Sequence, residues 1–369
     1  MQRLISNIAL GALIVAAASL GASERDSQTT PRAVDLVIAL DVSGSMSGLI
    51  DSAKQRLWDV INELARAQPQ PDLRVAILTY GSPAYGQHTG YVRIDQALTR
   101  DLDAVNQRLF SFTTNGGEEY VARVVNRAVE GLQWSSEPDA MRLMFVAGNE
   151  SAEQDPQLAL QDVVASAARA GVIVSAIFCG PDNHANAASW RRIAEAGLGT
   201  YASIDQRADA VARIETPMDA KIAALNEALN ATYIAYGDKG ERAKARQHAQ
   251  DDNASQMSLS AAASRVITKA GALYNSVEWD LIDAFESGKE VDAEDLPAVM
   301  KPMNEQERED YVARQSERRR ALSEEIGALA SERREYIAEH RTSDQDNGLD
   351  AALVGGVKKL AEAHGFVFE

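Results

Sequence analysis

The stretch VDLVIALDVSGSMSGLI, Val34–Ile50, decides the fold of this chain. Its apolar run, Leu36–Leu40, reaches Asp41 without polar alternation, which is typical of a parallel strand buried on both faces. The segment that follows Ser47 has the apolar spacing of an amphipathic helix. A buried strand, a short polar loop and a helix predict an open α/β sheet, whose ligand sites lie beyond the carboxyl ends of the strands.

The polar loop of this stretch is a candidate cation site. Asp41, Ser43 and Ser45 place one carboxylate and two hydroxyls at alternate positions on a turn loosened by Gly44. Mg²⁺ prefers such oxygen ligands and usually keeps several waters beside one or two carboxylates. The alternative is a Ser/Gly-rich turn in which Asp41 and Ser47 only cap the next helix.

The strand, loop and helix together resemble the von Willebrand factor A (VWA) domain family. Asp41, Ser43 and Ser45 match the first loop of that family's metal-ion-dependent adhesion site (MIDAS), and Gly44 and Met46 match its commonest spelling. The resemblance implies a Rossmann-like, doubly wound and mostly parallel sheet with helices on both faces. It also implies a bound cation, Mg²⁺ or alternatively Mn²⁺ or Ca²⁺.

Alternating strand and helix patterns continue beyond the first loop, as a parallel α/β sheet requires. Later strands are predicted at 73–80, 141–147, 172–179 and 200–204, and a short antiparallel edge strand at 91–94. The resemblance covers residues 33–235 and includes a last helix beginning near Pro217. An all-α C-terminal region is predicted for 236–369, with a long charged helix at about 305–341 that folds back on the other helices.

Two loops depart from the family pattern. The resemblance implies a threonine after a glycine pair in the second loop and an aspartate in the third. This chain has Gly116-Gly117-Glu118-Glu119 in the first of these places and Gly148-Asn149-Glu150 in the second. Glu118 therefore replaces the threonine and Gly148 the aspartate, so that the number of carboxylates near the cation is preserved.

Other ligand sets stay open for these two loops. Thr113 or Thr114 can supply the hydroxyl, with Asn149 or Glu150 reaching in and Glu118 capping its helix. The predicted metal ligands are thus Asp41, Ser43, Ser45 and Glu118, with Thr114, Glu119, Asn149 and Glu150 as further candidates. The loops around Ser43, Gly117 and Asn149 are the predicted partner-binding surface.

Composition narrows the partners and the compartment. A net charge of −17 argues against binding phosphate backbones, so nucleic acid is excluded as a partner. Residues 1–22 have the form of a secretory signal peptide, with an uncleaved membrane anchor as the alternative. No later apolar run is long enough to span a membrane, so we expect a soluble mature chain, periplasmic or secreted.

The sequence favours a non-enzymatic binding module that captures a partner protein through the cation. In the family, the partner typically offers an acidic side chain as the last metal ligand. One alternative is an assembly or structural factor with a degenerate metal site that uses its C-terminal helices, among them Leu322 and Ile326. A metal-assisted hydrolase is the other, although no H-E-x-x-H motif is present.

Overall fold

The computed structural model describes residues 31–204, 214–340 and 349–368. The predicted signal peptide, 1–22, lies outside the described residues. No described helix combines the length and the apolar character needed to cross a membrane.

Six strands form one sheet in the order β4-β3-β1-β5-β6-β7, and two short strands pair separately. The strands are β1 (Arg32–Asp41), β2 (Ala67–Gln68), β3 (Pro71–Tyr80), β4 (Val92–Thr99), β5 (Met141–Gly148), β6 (Val172–Phe178), β7 (Leu198–Ser203) and β8 (Val367–Phe368). In the large sheet only β4 runs antiparallel, and it lies at the edge. This mostly parallel sheet and its antiparallel edge strand confirm the predicted fold class.

Helices cover both faces of the sheet. They are α1 (Ser47–Leu64), α2 (Leu102–Phe110), α3 (Val121–Gly131), α4 (Leu160–Arg169), α5 (Ala187–Ala196) and, near the end of the chain, α12 (Leu349–Ala363). Alternate residues of β1 point to opposite faces, because side chains alternate along a strand. Leu36 and Ile38 lie in one apolar core with α1, α2 and α12, whereas Val37 and Ala39 lie in another with α3, α4 and α5.

Residues 217–340 form a helical unit. It contains α6 (Pro217–Ala224), α7 (Asn226–Asn230), α8 (Gly237–Met257), α9 (Leu259–Ala270), α10 (Leu281–Glu286) and α11 (Glu305–His340). The long helix α11 packs against α6 and α9, so it folds back on its neighbours as the sequence predicts. Leu322 and Ile326 lie in a core that α6, α8 and α9 share.

The last helix over the sheet differs from the sequence expectation. A helix does begin at Pro217, but α6 packs within the helical unit, and α12 covers the sheet instead. Leu353 and Val357 of α12 are buried in the same core as Leu36 of β1. The strand β8 then pairs with β2, and Phe366 lies under the guanidinium of Arg32, 5.0 Å from ring centroid to Cζ. The sheet is therefore completed by residues from beyond the helical unit.

A buried ionic network joins the helical unit to the helices of the sheet. Asp251 Oδ1 accepts from Arg265 Nε at 2.9 Å, and Asp251 Oδ2 accepts from Lys269 Nζ at 2.7 Å. Across the junction, Arg265 Nη1 lies 2.7 Å from Asp103 Oδ1 of α2. Each of these buried charges has a partner of opposite sign, which reduces the cost of removing it from water.

Candidate metal centre

The first loop begins where β1 ends, in the middle of the sheet. Asp41 is fully buried there, and its Oδ1 accepts a hydrogen bond from the Ser43 backbone N–H at 2.7 Å. A short 3₁₀ turn at Gly44–Met46 then leads into α1. The Ser43 and Ser45 hydroxyls lie 3.3 Å apart, and Ser45 is exposed. The loop thus places a carboxylate and two hydroxyls together, with an opening to solvent at Ser45.

Glu119 of the second loop joins this group. Its side chain is 6% exposed, and its carboxyl interacts electrostatically with the Asp41 and Ser43 side chains. The second loop lies against the first, since Asn115 N–H donates to Val42 O at 2.9 Å. The cluster therefore contains Asp41, Ser43, Ser45 and Glu119.

Gly81, which follows β3, allows these two carboxyls to approach each other. A Cβ atom at this position would lie 2.7 Å from Asp41 Oδ1 and 3.3 Å from Glu119 Cγ. Its φ of +86° is a conformation that residues with side chains rarely adopt. Any larger residue here would displace the carboxyls.

Burial and mutual repulsion make this pair of carboxyls difficult to ionise. Burial raises the pKa of Asp41, although hydrogen bonds from Ser43 act in the opposite direction. Burial also raises the pKa of Glu119, and the negative charge of Asp41 raises it further. Among the described residues, no salt bridge joins either acid to a cationic side chain. The pair lacks the compensating positive charge that buried carboxylates normally have.

The donor atoms in the cluster fit a hard divalent cation. Asp41 Oδ2 is buried without a hydrogen-bond donor among the described residues, and so is Asn149 Oδ1 of the third loop. Asn149 Nδ2 donates to Ser45 Oγ at 3.0 Å, so the third loop reaches the first through this amide. Carboxylate, hydroxyl and amide oxygens are the ligand types that Mg²⁺ and Ca²⁺ prefer.

The remaining predicted ligands lie elsewhere. Glu118 is exposed and lies outside the cluster. Burial, and then the negative charge of Glu118, raise the pKa of its neighbour Tyr120. Glu150 is exposed and accepts from Gln154 at 3.0 Å, although its charge raises the pKa of both clustered acids. Thr114 is half-buried in the second loop. In the described part of the chain, no three His, Cys, Asp or Glu side chains group as metal ligands.

Gly148 is enclosed on the side where an aspartate would project. A Cβ atom there would lie 2.5 Å from Tyr80 Oη and 2.9 Å from Trp190 Cη2. The Tyr80 hydroxyl donates to Ala147 O at 2.9 Å, and Trp190 Nε1 donates to Glu150 O at 2.7 Å. These two aromatic residues were not singled out from the sequence, because nothing in the local pattern places them beside the third loop.

Comparison with protein families identifies the domain. Residues 35–217 match the family model described as von Willebrand factor type A domain. The chain contains a VWA domain. Domains of this family are typically protein-interaction modules. A search of curated proteins finds no match to this chain.

Solved structures similar to this VWA chain include BatB from Bacteroides thetaiotaomicron, with 17% identity over 48% of this chain and 94% of that one, at a TM-score of 0.37. Another is proximal thread matrix protein 1 from the mussel byssus, with a zinc-occupied MIDAS motif. It has 11% identity over 48% of this chain and 43% of that one, at a TM-score of 0.39. The pilus adhesin SpaC from Lactobacillus rhamnosus GG has 16% identity over 48% of this chain and 28% of that one, at a TM-score of 0.37.

Proposed function

We propose that this chain is a non-enzymatic binding module that captures a partner protein through a divalent cation at the carboxyl end of the sheet. The proposed ligands are Asp41, Ser43, Ser45 and Glu119, with the Asn149 amide beside them. When bound, Mg²⁺ supplies positive charge and a coordination position for an acidic side chain of the partner. We further propose that residues 1–22 direct the chain to the periplasm or to secretion.

One observation carries this proposal: two buried carboxyls face each other without a cationic side chain among the described residues. Such an arrangement costs stability in the isolated protein, and proteins keep costly polar groups mainly at functional sites. A cation would neutralise both acids at once. The protein contributes the geometry: Ser43 N–H fixes one oxygen of Asp41 and leaves the other free.

The structure gives less support to assembly through the C-terminal helices. Ile326 is 1% exposed, and Leu322 packs against the same core. These apolar residues of α11 are occupied within the chain, so they offer no ready surface to a second protein. Capture through the cation remains the function that we propose.

Calorimetric titration of Mg²⁺, Mn²⁺ and Ca²⁺ into the purified chain tests the proposed site. We expect one saturable site that is lost in Asp41→Ala and weakened by about tenfold or more in Glu119→Gln, because each variant removes a charged ligand. Glu118→Gln is the matched control, since it makes the same change one residue away on an exposed side chain. Equal losses in the two glutamine variants, or no binding by the unsubstituted chain, would contradict the proposal.

A further inference from the structure

The edge strand β4 has an unpaired outer side next to the proposed cation site. It is the outermost strand of the large sheet, and no described strand pairs with its outer side. Its pairing with β3 is regular from Val92 to Ile94, opposite Tyr80 to Leu78, and becomes irregular only beyond Ile94. Bulges protect sheet edges against added strands, and here they lie away from the cation end.

A groove runs along this regular part of the edge, between β4 and α3. Its volume is about 540 Å³. Val92, Ile94 and Leu158 give it an apolar floor, and Arg123 and Arg127 of α3 line its side. Among the described residues that line the groove, none is acidic. Such a lining suits a segment that carries both apolar and acidic side chains.

Arg127 is the source of uncompensated positive charge in the groove. The charge of Arg123 is balanced by Asp155, whose Oδ2 accepts from Arg123 Nε at 2.7 Å. Arg93 is paired with Asp95, and its guanidinium lies over the Tyr85 ring on the other face of β4. Arg127 is exposed and forms no salt bridge within the described residues. In a chain with a net charge of −17, a groove of this sign is complementary to an acidic partner.

We propose that an extended, acidic segment of the partner protein adds to the outer side of β4, with its apolar side chains against the partly buried Ile94 and Leu158 and a carboxylate against Arg127. Added strands gain affinity from backbone hydrogen bonds and specificity from pockets for alternate side chains. This inference rests on the proposed function only for the identity of the partner, because the groove itself contains none of the proposed metal ligands.

The spacing of the sheet allows one partner segment to reach both places. Asp41 is paired with Tyr80, and Tyr80 with Val92, so a strand outside β4 would be the third strand from Asp41. At about 4.8 Å per strand, the distance is ~14 Å. About four extended residues span that distance. The carboxylate that reaches the cation is therefore expected about four residues from the segment on β4.

Binding of a short fluorescein-labelled peptide of alternating valine and glutamate tests the groove directly. The titration is followed by fluorescence anisotropy in EDTA, so that no cation contributes. We expect saturable binding that weakens by about tenfold in Arg127→Glu, since like charges then face each other. Arg169→Glu is the matched control, an exposed arginine at the end of α4. A peptide with lysine in place of glutamate should bind at least about tenfold more weakly.

Hydrogen–deuterium exchange distinguishes strand addition from loose electrostatic attraction. Added backbone hydrogen bonds should slow exchange in the segment that contains residues 92–94 when the peptide is present. Equal affinity for the glutamate and lysine peptides, unchanged affinity in Arg127→Glu, or unchanged exchange at β4 would each overturn the proposal. The peptide titration in EDTA reports on the groove alone and the Mg²⁺ titration on the cation site alone, so failure of the cation site and failure of the groove give different results.

Discussion

Two sets of buried acids in this protein have opposite electrostatic surroundings. In the junction between α2, α8 and α9, Asp251 lies between Arg265 and Lys269. Burial opposes ionisation of Asp251, but the charges of Arg265 and then Lys269 outweigh it and keep its pKa below the usual range. At the end of β1, Asp41 and Glu119 are buried beside each other, and the pKa of each is raised. The first set has its opposite charges within the chain, whereas the second has no cationic partner among the described residues.

This difference indicates how a ligand site can be distinguished from an ion network that is part of the fold. Both sets are buried and rich in acids, so burial and composition do not separate them. What separates them is whether the described residues supply the opposite charge. In a paired set the opposite charge offsets the cost of burying the acid, whereas the uncompensated cost of an unpaired acid can be relieved by a ligand.

The largest expected effect comes from breaking the paired set. Asp251→Ala leaves Arg265 and Lys269 buried without their shared partner, which should lower the free energy of unfolding by about 3–5 kcal/mol. Urea unfolding followed by circular dichroism measures the change. Asp252→Ala is the matched control, because Asp252 is exposed on the same helix and its loss should change stability by less than about 0.5 kcal/mol. Similar values for the two variants would mean that the ion pairs of Asp251 contribute no more to stability than an exposed acid does.

A second test adds an acid to the unpaired set. Gly148→Asp places a Cβ atom 2.5 Å from Tyr80 Oη, so we expect overpacking to destabilise the fold by about 1–3 kcal/mol. Gly116→Asp is the control, since a Cβ atom there meets no atom within 4 Å. Thermal unfolding of both variants without metal gives the comparison. If Gly148→Asp is fully stable and binds Mg²⁺ more tightly, the Tyr80 and Trp190 side chains move aside for the aspartate, and the expected overpacking does not occur.

A third test concerns the pH dependence of stability in metal-free protein. The folded-state pKa values, about 6 for Asp41 and about 8 for Glu119, lie above the ordinary 3.8 and 4.5. The folded state therefore binds more protons than the unfolded state between these limits, and stability falls as the pH rises. Between about pH 5 and 8 the folded pair keeps protons that the unfolded chain has already lost, so rising pH should progressively lower the free energy of unfolding.

Asp41→Asn isolates that contribution, because it removes one of the two acids and the repulsion between them. Its unfolding free energy should depend less on pH than that of the unsubstituted chain, and it should be the more stable of the two at pH 8 without metal. Saturating Mg²⁺ should remove the difference by stabilising only the unsubstituted chain. The same pH dependence in both proteins would show that other groups cause it.

The sequence predicted those features that depend on neighbouring residues. The apolar run before Asp41 is a local signal, and so is the alternation that brings Ser43 and Ser45 beside it. The second loop was harder, since Glu118 and Glu119 are adjacent and chemically alike. Which one turns inward depends on how the loop packs against Gly81, a residue far away in the sequence. The ligand role of all of these residues remains a prediction.

Features that depend on distant parts of the chain were beyond sequence reasoning. The apolar pattern of α12 indicates a helix face, but it does not say which surface that face covers. The enclosure of Gly148 by Tyr80 and Trp190 is of the same kind, since three separate elements meet there. In both cases the missing information was a tertiary contact, which local periodicity does not contain.

The return of α12 and β8 to the sheet also sets an order of events during synthesis. When β7 leaves the ribosome, the face of the sheet that α1 and α2 share still lacks Leu353, Val357 and Phe366, and it cannot close. The helical unit must be made before those residues emerge. The nascent sheet therefore exposes apolar surface over more than a hundred residues of translation, from Ser203 to Leu349. During that interval, a chaperone or an early-folding helical unit would protect this surface from aggregation.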